Sequence, residues 1–461
     1  MIGLVQARAP AERTTIVIGG GLAGSEAAWQ LLRAGLDVEV CEARPAHSSP
    51  AHTGLLLGEL VCSNSLRSDA DDTAPGLLKA ELRSLGSLVL DAADATRVPA
   101  GSALAVDRTA FSWRITAGLL AAPRFRLRRH PLARLPESPA LLASGPLTSP
   151  ALSAAIGQRV GAGLHFYDAI APIVEASSID FDRVFLGARR DPEGRDYVNC
   201  PLTREEYDRL VEGLRAGTLL VPHAFEERRY FEGCLPVEVM AGRGDDVLAH
   251  GPLRPVGLVD PRTGRRPYAV VQLRAEDSAR TSYNLVGFQT RLLQGEQRRV
   301  FRLIPGLERA VFLRYGSIHR NTYLDAPRLL LPDLRLRAAP WLRIVGQIAG
   351  VEGYLESTAM GLLGALFLAA ELRGGSLPPP PITTAVGALL HHLTRPRGEG
   401  ERFEPSHINF GLLPPAPAAR DKRARRLAVR ARAFSDLAAW LPCLDGLRDG
   451  TDRARAHGRS E

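Results

Sequence analysis

The sequence predicts an α/β protein, a Rossmann-type nucleotide-binding domain interrupted by a smaller α+β insertion. Three observations lead there. A glycine-rich turn at 19–24 lies between an apolar strand and a helix. A second such turn, at 346–361, follows a strand late in the chain. Between them, residues 160–310 have a mixed, turn-rich texture.

TTIVI (14–18) is a short β-branched run ending at Gly19, the pattern of a buried parallel strand. Ser25 to Leu36 then predicts a helix with Ala27, Ala28, Leu31 and Leu32 on its apolar side, closed by Gly35. DVEVCEARP (37–45) supplies a second strand and completes a β-α-β unit. The linking residues, Gly19-Gly20-Gly21-Leu22-Ala23-Gly24, satisfy GxGxxG. In that pattern Gly19 allows the tight turn, Gly21 lets backbone approach a pyrophosphate, and Gly24 permits close helix–strand contact. Glu42 stands 18 residues after Gly24, where an acid accepts hydrogen bonds from a ribose hydroxyl. A ligand-free glycine turn is the alternative, but strand, helix and acid together favour a dinucleotide.

Farther along, PALLASGPLTSPAL (139–152) predicts a strand, a glycine turn and a helix start. VGLVDPRTGRRPYAVVQLR (256–274) predicts a hairpin around Asp260-Pro261 and Gly264. WLRIVGQIAG (341–350) is an apolar strand entering a glycine turn, followed by a small-residue helix. Pro378–Pro381 form a stiff linker, and an arginine-rich helix comes near the end. The expected domains are 12–155 with 311–461, and 156–310 as the insertion. The late turn, GQIAGVEGYLESTAMG (346–361), favours FAD, because large flavoproteins close the isoalloxazine end of their site with a late helix N-terminus. It adds Gly346, Gly350, Gly353 and Tyr354 to the candidate cofactor-binding set of Gly19, Gly21, Gly24 and Glu42. Tyr354 is placed to lie against a flavin or stacked pterin, or else to be a core aromatic.

Composition narrows the setting. Five scattered cysteines without a CxxC pair suit neither a disulfide framework nor a zinc ribbon, so no metal is expected and a reducing cytoplasm is. The start lacks a signal-peptide core, and Met360–Ala370, the most apolar stretch, is too short to span a bilayer and reads as a buried helix. A formal charge of +8 concentrates in RFRLRRH (124–130) and RDKRARRLAVRAR (420–432), which suits a polyanion such as nucleic acid or simply solvated arginine-rich faces.

Ten segments in one order carry a resemblance: VIGGGLAGSEAAWQLLRAG, LVCSNSLRS, VPAGSALAVDR, ASGPLTS, FYDAIAPIVEASSID, YVNCPLTREEY, FEGCLPVEVMAGRG, LRPVGLVDPRTG, HRNTYLDAPRLL and GVEGYLES. Together, from about residue 14 to 415, they resemble the TrmFO family of folate- and FAD-dependent tRNA (uracil-5-)-methyltransferases. HTGLLL (52–57) departs by being more apolar than the family segment, and FLGARRDPEG (185–194) by lacking a tyrosine beside its arginine. The resemblance implies C5-methylation of the T-loop uridine at tRNA position 54. The carbon comes from 5,10-methylenetetrahydrofolate, with FAD reduced by NADH or NADPH. It also implies a glutathione-reductase-type flavin domain with a smaller insertion. The T-arm of tRNA is the expected partner, with no protein partner and no membrane.

Uracil C5 is a poor nucleophile, and adding a thiolate to C6 makes C5 carbanion-like. A base must then remove the C5 proton, and a hydride must complete the methyl group, a step suited to reduced flavin. Cys234, in YFEGCLPVE, reads as an exposed turn and is the preferred nucleophile, with Cys62 as the partner thiol, a general base for C5 or a temporary holder of the methylene that the resemblance implies the flavin carries. The two roles are interchangeable at this level. A free thiol is only about 3% thiolate at neutral pH, so activation by arginine, a helix N-terminus or the flavin is expected, with Arg67 and Arg243 nearby in sequence only. Cys41, Cys200 and Cys443 read as inert. His319, Arg320 and Asn321 form a polar cluster that meets folate or flavin, or belongs to a solvated loop. The competing functions are the wobble-uridine-modifying relative of the glucose-inhibited division type, a general FAD oxidoreductase, and a flavin-binding RNA-interaction protein without turnover.

Overall fold

A computed structural model describes residues 14–48, 51–160, 164–189, 191, 193–220, 235–398, 401, 403–415 and 421–447, with 164–170 and 318–322 described by backbone alone. The chain opens with β1 (Thr15–Ile18), α1 (Leu22–Arg33), β2 (Val38–Glu42), β3 (Ser65–Ser68), α2 (Ala74–Ser84), α3 (Leu88–Ala95), β4 (Arg97–Val98) and β5 (Ala103–Val106). It continues through α4 (Arg108–Leu120), β6 (Phe125–Arg129), β7 (Ala140–Leu142), α5 (Pro150–Val160), β8 (Leu164–Ile170), β9 (Ile173–Glu175), β10 (Phe185–Gly187) and β11 (Tyr197–Leu202). Next come α6 (Arg204–Ala216), α7 (Val237–Ala241), α8 (Val247–His250), β12 (Ala269–Ala275), β13 (Ser282–Leu285), α9 (Gln294–Phe301), β14 (Phe312–Arg314) and β15 (Ser317–Tyr323). The last elements are α10 (Ala326–Leu329), β16 (Arg335–Leu336), β17 (Ala339–Ile344), α11 (Tyr354–Leu372), α12 (Ala385–Thr394) and α13 (Lys422–Trp440).

One six-stranded sheet has the order β16-β17-β7-β1-β2-β6. Its inner strands run parallel, with Ile16 beside Ala140 on one side and Glu39 on the other. The β-branched residues of β1 suit this position, since Val17 and Ile18 are buried in the larger core. α1 starts three residues before the predicted Ser25, because Gly21 ends the turn and its carbonyl already accepts the Ser25 N–H at 2.8 Å. It stops at Arg33, with Gly35 in left-handed backbone.

α11 is longer than its apolar centre suggests. Its 19 residues are long and apolar enough to cross a membrane by length and composition, but Leu355–Ala370 are buried within the protein. Met360–Ala370, expected as a buried helix, is the centre of this longer element, and burial makes the whole a core helix. A Cβ on Gly361 would lie 2.2 Å from the Ala23 carbonyl oxygen, so α11 crosses α1 at backbone contact.

A second six-stranded sheet, β10-β11-β12-β13-β9-β14, is antiparallel and has its own core, including Tyr207, Leu210, Leu214, Phe288 and Phe301. α6 covers it, opened by a capping box between Thr203 and Glu206. The chain enters and leaves this region through the antiparallel ribbon of β8 and β15. The expected divisions at 155/156 and 310/311 fall elsewhere than these strands: the first lies inside α5, and the second just before β14, which pairs with β9.

The hairpin predicted at 256–274 is not formed. Asp260 and Arg265 make one isolated bridge around a turn, Val256 and Val259 are exposed, and β12 pairs instead with β11 and β13. Pro255 and Pro261 bound the expected first strand and Pro267 falls in the expected second, each removing an N–H that a continued ladder would need.

Pro378–Pro381 connect α11 to α12, whose first N–H groups are capped from another helix. Glu81 of α2, fully buried, accepts from Ala385 N–H at 2.8 Å and Val386 N–H at 2.9 Å. Glu81→Ala leaves both donors buried without that acceptor and is expected to lower stability by about 2–3 kcal/mol. The denaturant midpoint at fixed cofactor loading measures this, and an unchanged midpoint would show that α12 does not depend on this cap.

Candidate functional site

Gly19, with φ of 103°, turns the chain out of β1, and a Cβ there would sit 2.5 Å from the Ala143 carbonyl oxygen. A Cβ on Gly24 would be 1.9 Å from the Gly19 carbonyl oxygen, so α1 packs directly on the turn. Gly21 differs: its Cβ would meet nothing within 4 Å. The helix N-terminus behind it has no side-chain cap, leaving N–H groups for an anion.

Glu42 closes the far side of this turn. Its carboxylate accepts from the Gly20 N–H at 2.8 Å and from Arg44 through the backbone N–H at 3.1 Å and Nε at 2.8 Å. Burial works against its charge, but Arg44 and the backbone donors outweigh it and hold the carboxyl below the usual range. Arg44 is shared with Glu59 at 2.6 Å.

The early and late turns line one cleft of about 1140 Å³, partly open to solvent. Gly19–Ala23 and Glu42–Arg44 form one wall, Ala143–Ser149 another, and Gly346, Gln347, Tyr354 and Ser357 a third. Gly346, with φ of 77°, would bring a Cβ to 2.7 Å from that of Ala23. Gly350 and Gly353 shape the turn from behind, against Phe403 and His407, and do not line the cleft.

Tyr354 joins this cleft to Cys62. Its hydroxyl accepts the Cys62 N–H at 2.7 Å and the Ser63 N–H at 3.2 Å. Burial, reinforced by the nearby Cys62 sulfur, pushes the Tyr354 hydroxyl up, so it stays protonated at neutral pH. Cys62 itself is partly exposed. Its polar neighbours are scaffolding. Asn64 donates to the carbonyls of Val106 at 3.0 Å and Ala275 at 2.8 Å. Arg274 donates to Ser63 Oγ and Asn64 Oδ1, each at 2.7 Å. Arg108 donates to the carbonyls of Leu60 and Cys62 and pairs with Glu276.

Sequence reasoning missed Arg108, Arg274 and Glu276. The available signal was Gln272 and Arg274 interrupting AVVQLRA, a strand buried at every position. Arg67, near the thiol in sequence only, turns to Glu356 at 2.9 Å, while Lys79 holds the carbonyls of residues 66–68. Behind Gly353, the His407 Nδ1–H donates to the Glu352 carbonyl at 2.6 Å.

Cys234 lies outside the described residues, and Arg243 follows the short helix α7. His319, Arg320 and Asn321 belong to strand β15, opposite Asp168, Tyr167 and Phe166, rather than to a loop; their side chains are outside the described set. Cys41 is buried, and burial pushes its thiol up to about 11. Cys200 is buried in β11 with its thiol raised by desolvation, whereas Cys443 is exposed. Among the described residues, no group of three or more His, Cys, Asp or Glu is placed to hold a metal ion.

Residues 14–376 match the family described as Glucose inhibited division protein A. Over 433 residues, covering 92% of this chain and 94% of the relative, the chain is 56% identical to the methylenetetrahydrofolate--tRNA-(uracil-5-)-methyltransferase TrmFO of Myxococcus xanthus. The chain belongs to the TrmFO family. The protein of the same name from Rhodospirillum rubrum is 54% identical over 443 residues, 92% of each chain. That of Moorella thermoacetica is 54% identical, covering 90% of this chain and 96% of the relative. Aquifex aeolicus GidA has the same fold, with a TM-score of 0.70 at 16% identity, covering 98% of this chain and 76% of that one. GidA thus shares the architecture, while TrmFO proteins share more than half the residues.

Gly21 and Gly24 separate ligand contact from folding. Gly21→Val is expected to fold normally but lose bound flavin, measured by absorbance of the purified protein. Gly24→Val is expected to destabilise the apoprotein itself, because its side chain meets the Gly19 carbonyl; equal behaviour of the two variants would contradict this division. A second expectation concerns acid. Burial, with Arg67 nearby, drives the His407 imidazole down to about 4, so below the unfolded value of about 6.5 the unfolded chain binds the extra proton. Its contribution to stability is complete above pH ~6.5 and falls by at most about 1.4 kcal/mol per pH unit toward pH ~4. His407→Gln should flatten the measured slope in that window.

Proposed function

We propose that the protein methylates C5 of the T-loop uridine at position 54 of tRNA, taking the carbon from 5,10-methylenetetrahydrofolate and reducing equivalents from NADH or NADPH through FAD. The observation that carries this reading is the bond between Cys62 and Tyr354. A thiol loop is tied to a residue that lines the dinucleotide cleft. The family relation supplies the substrate class.

The residues fit FAD. Gly21 leaves backbone bare, the uncapped α1 N-terminus faces the cleft, and Glu42 is held as an anion beside it. Bound FAD supplies the hydride and one-carbon transfer chemistry of the reaction. In this reading the first sheet is a flavin domain of the glutathione-reductase type, and the second sheet is an insertion carried on the β8–β15 ribbon. The protein works in the cytoplasm, on tRNA alone.

Two thiols do the work on the base. Cys234 adds to uracil C6, making C5 nucleophilic, and Cys62 takes the C5 proton or serves as the partner thiol. Elimination then releases Cys234. His319, Arg320 and Asn321, on the ribbon, meet the folate. The target uridine must be turned out of its stack to reach the sulfurs. Exposed Arg126 on β6 and Arg423 and Arg425 on α13 offer charge for tRNA phosphates.

Incubating the protein with NADH, methylenetetrahydrofolate and unmodified tRNA should yield 5-methyluridine at position 54. Cys62→Ala and Cys234→Ala should each abolish methylation while FAD stays bound. Near-full activity of Cys234→Ala would remove its assignment as nucleophile. Label arriving from S-adenosylmethionine instead would overturn the folate reading.

A further inference from the structure

The loop bearing Cys62 is built at the seam between the two sheets. From the first side it is held by Tyr354, by Arg108 and by the Val106 carbonyl at the end of β5. From the second side, three consecutive residues at the end of β12 reach it. Arg274 holds Ser63 Oγ and Asn64 Oδ1, the Ala275 carbonyl accepts from Asn64, and Glu276 pairs with Arg108.

Arg274 is the residue that needs explaining. It stands in a strand buried at every position and is itself 7% exposed. Both hydrogen bonds of its guanidinium go to neutral side-chain oxygens. Glu276 supplies counter-charge from nearby, but its ion pair is with Arg108. Burying a guanidinium without its own carboxylate is unfavourable, and an apolar side chain would serve strand packing better. The planar fork does something an apolar residue cannot: it grips two successive side chains after Cys62 in one fixed geometry. Fully buried Asn64 is thereby fixed at both ends of its amide.

We propose that Arg274, acting with Arg108, is a positioning residue through which the second sheet sets the place of Cys62 against the cofactor cleft. The inference rests on the reading of Cys62 as a reacting thiol, but its test does not depend on that reading alone.

The test uses the full-length FAD-loaded enzyme. Arg274→Gln is expected to lower kcat for tRNA methylation about 10–100-fold with KM for tRNA and flavin content unchanged, the signature of a displaced reacting group. The same variant should speed alkylation of Cys62 by iodoacetamide, read by peptide mass. Arg274→Lys, which keeps the charge and loses the fork, should recover kcat only in part. If Arg274→Gln does not fold, Ser63→Ala removes one arm of the grip and should lower kcat about 2–12-fold, the worth of one hydrogen bond. Unchanged kcat and unchanged alkylation in a folded variant overturn the proposal. Should Cys62→Ala retain methylation while Arg274→Gln still speeds Cys62 alkylation, the catalytic reading of Cys62 fails and the positioning role stands.

Discussion

The backbone contact between α1 and α11 is the constraint on which the rest depends. Gly361 lets one helix lie against the Ala23 carbonyl of the other, and Gly346 fits against the Ala23 side chain in the same place. Any Cβ on Gly361 would push the helices apart by more than a side chain can absorb. With this contact made, two glycine turns more than 300 residues apart in sequence line one cleft. α11 is then buried almost throughout, and its first residue, Tyr354, faces both the cleft and the thiol loop.

From Tyr354 the structure passes into the seam. The thiol at 62 lies beyond the cleft wall, connected to it by two N–H groups on one phenol oxygen. The hydroxyl stays neutral because it is buried, so it accepts those donors through its lone pairs and keeps its own O–H to donate. On the other side the loop depends on β12, so the sulfur's position is a property of both sheets. The division of the molecule into two cores therefore does not divide the site.

Buried charge follows the same logic elsewhere. Glu42 keeps its charge because Arg44 and backbone donors surround it. Lys79 is fully buried, yet its ammonium is held by three consecutive carbonyls of β3 at 3.0, 3.3 and 2.5 Å. Within that grip Arg67 takes left-handed backbone, and its guanidinium pairs with Glu356. Glu42 and Lys79 each hold backbone next to the cleft or the thiol loop.

The sequence by itself determined the local machinery: the GxGxxG turn, Glu42 at the strand end, the late glycine turn and the family motifs. Those are legible because turn chemistry and strand periodicity act over a few residues, and glycine where a Cβ cannot fit is visible in any α/β protein. Only tertiary structure decided which side chains meet. Arg108, Arg274 and Glu276 lie far from Cys62 in sequence, and Arg67, five residues away, points elsewhere. The hairpin expected at 256–274 failed for the same reason: β12 found better partners in β11 and β13 than in its proline-bounded neighbour. Three polar residues, Ser63, Asn64 and Ser65, directly follow Cys62 in the sequence. Which oxygens and guanidiniums they serve was set by the packing of two distant sheets, because hydrogen bonds across a seam leave no period in the chain.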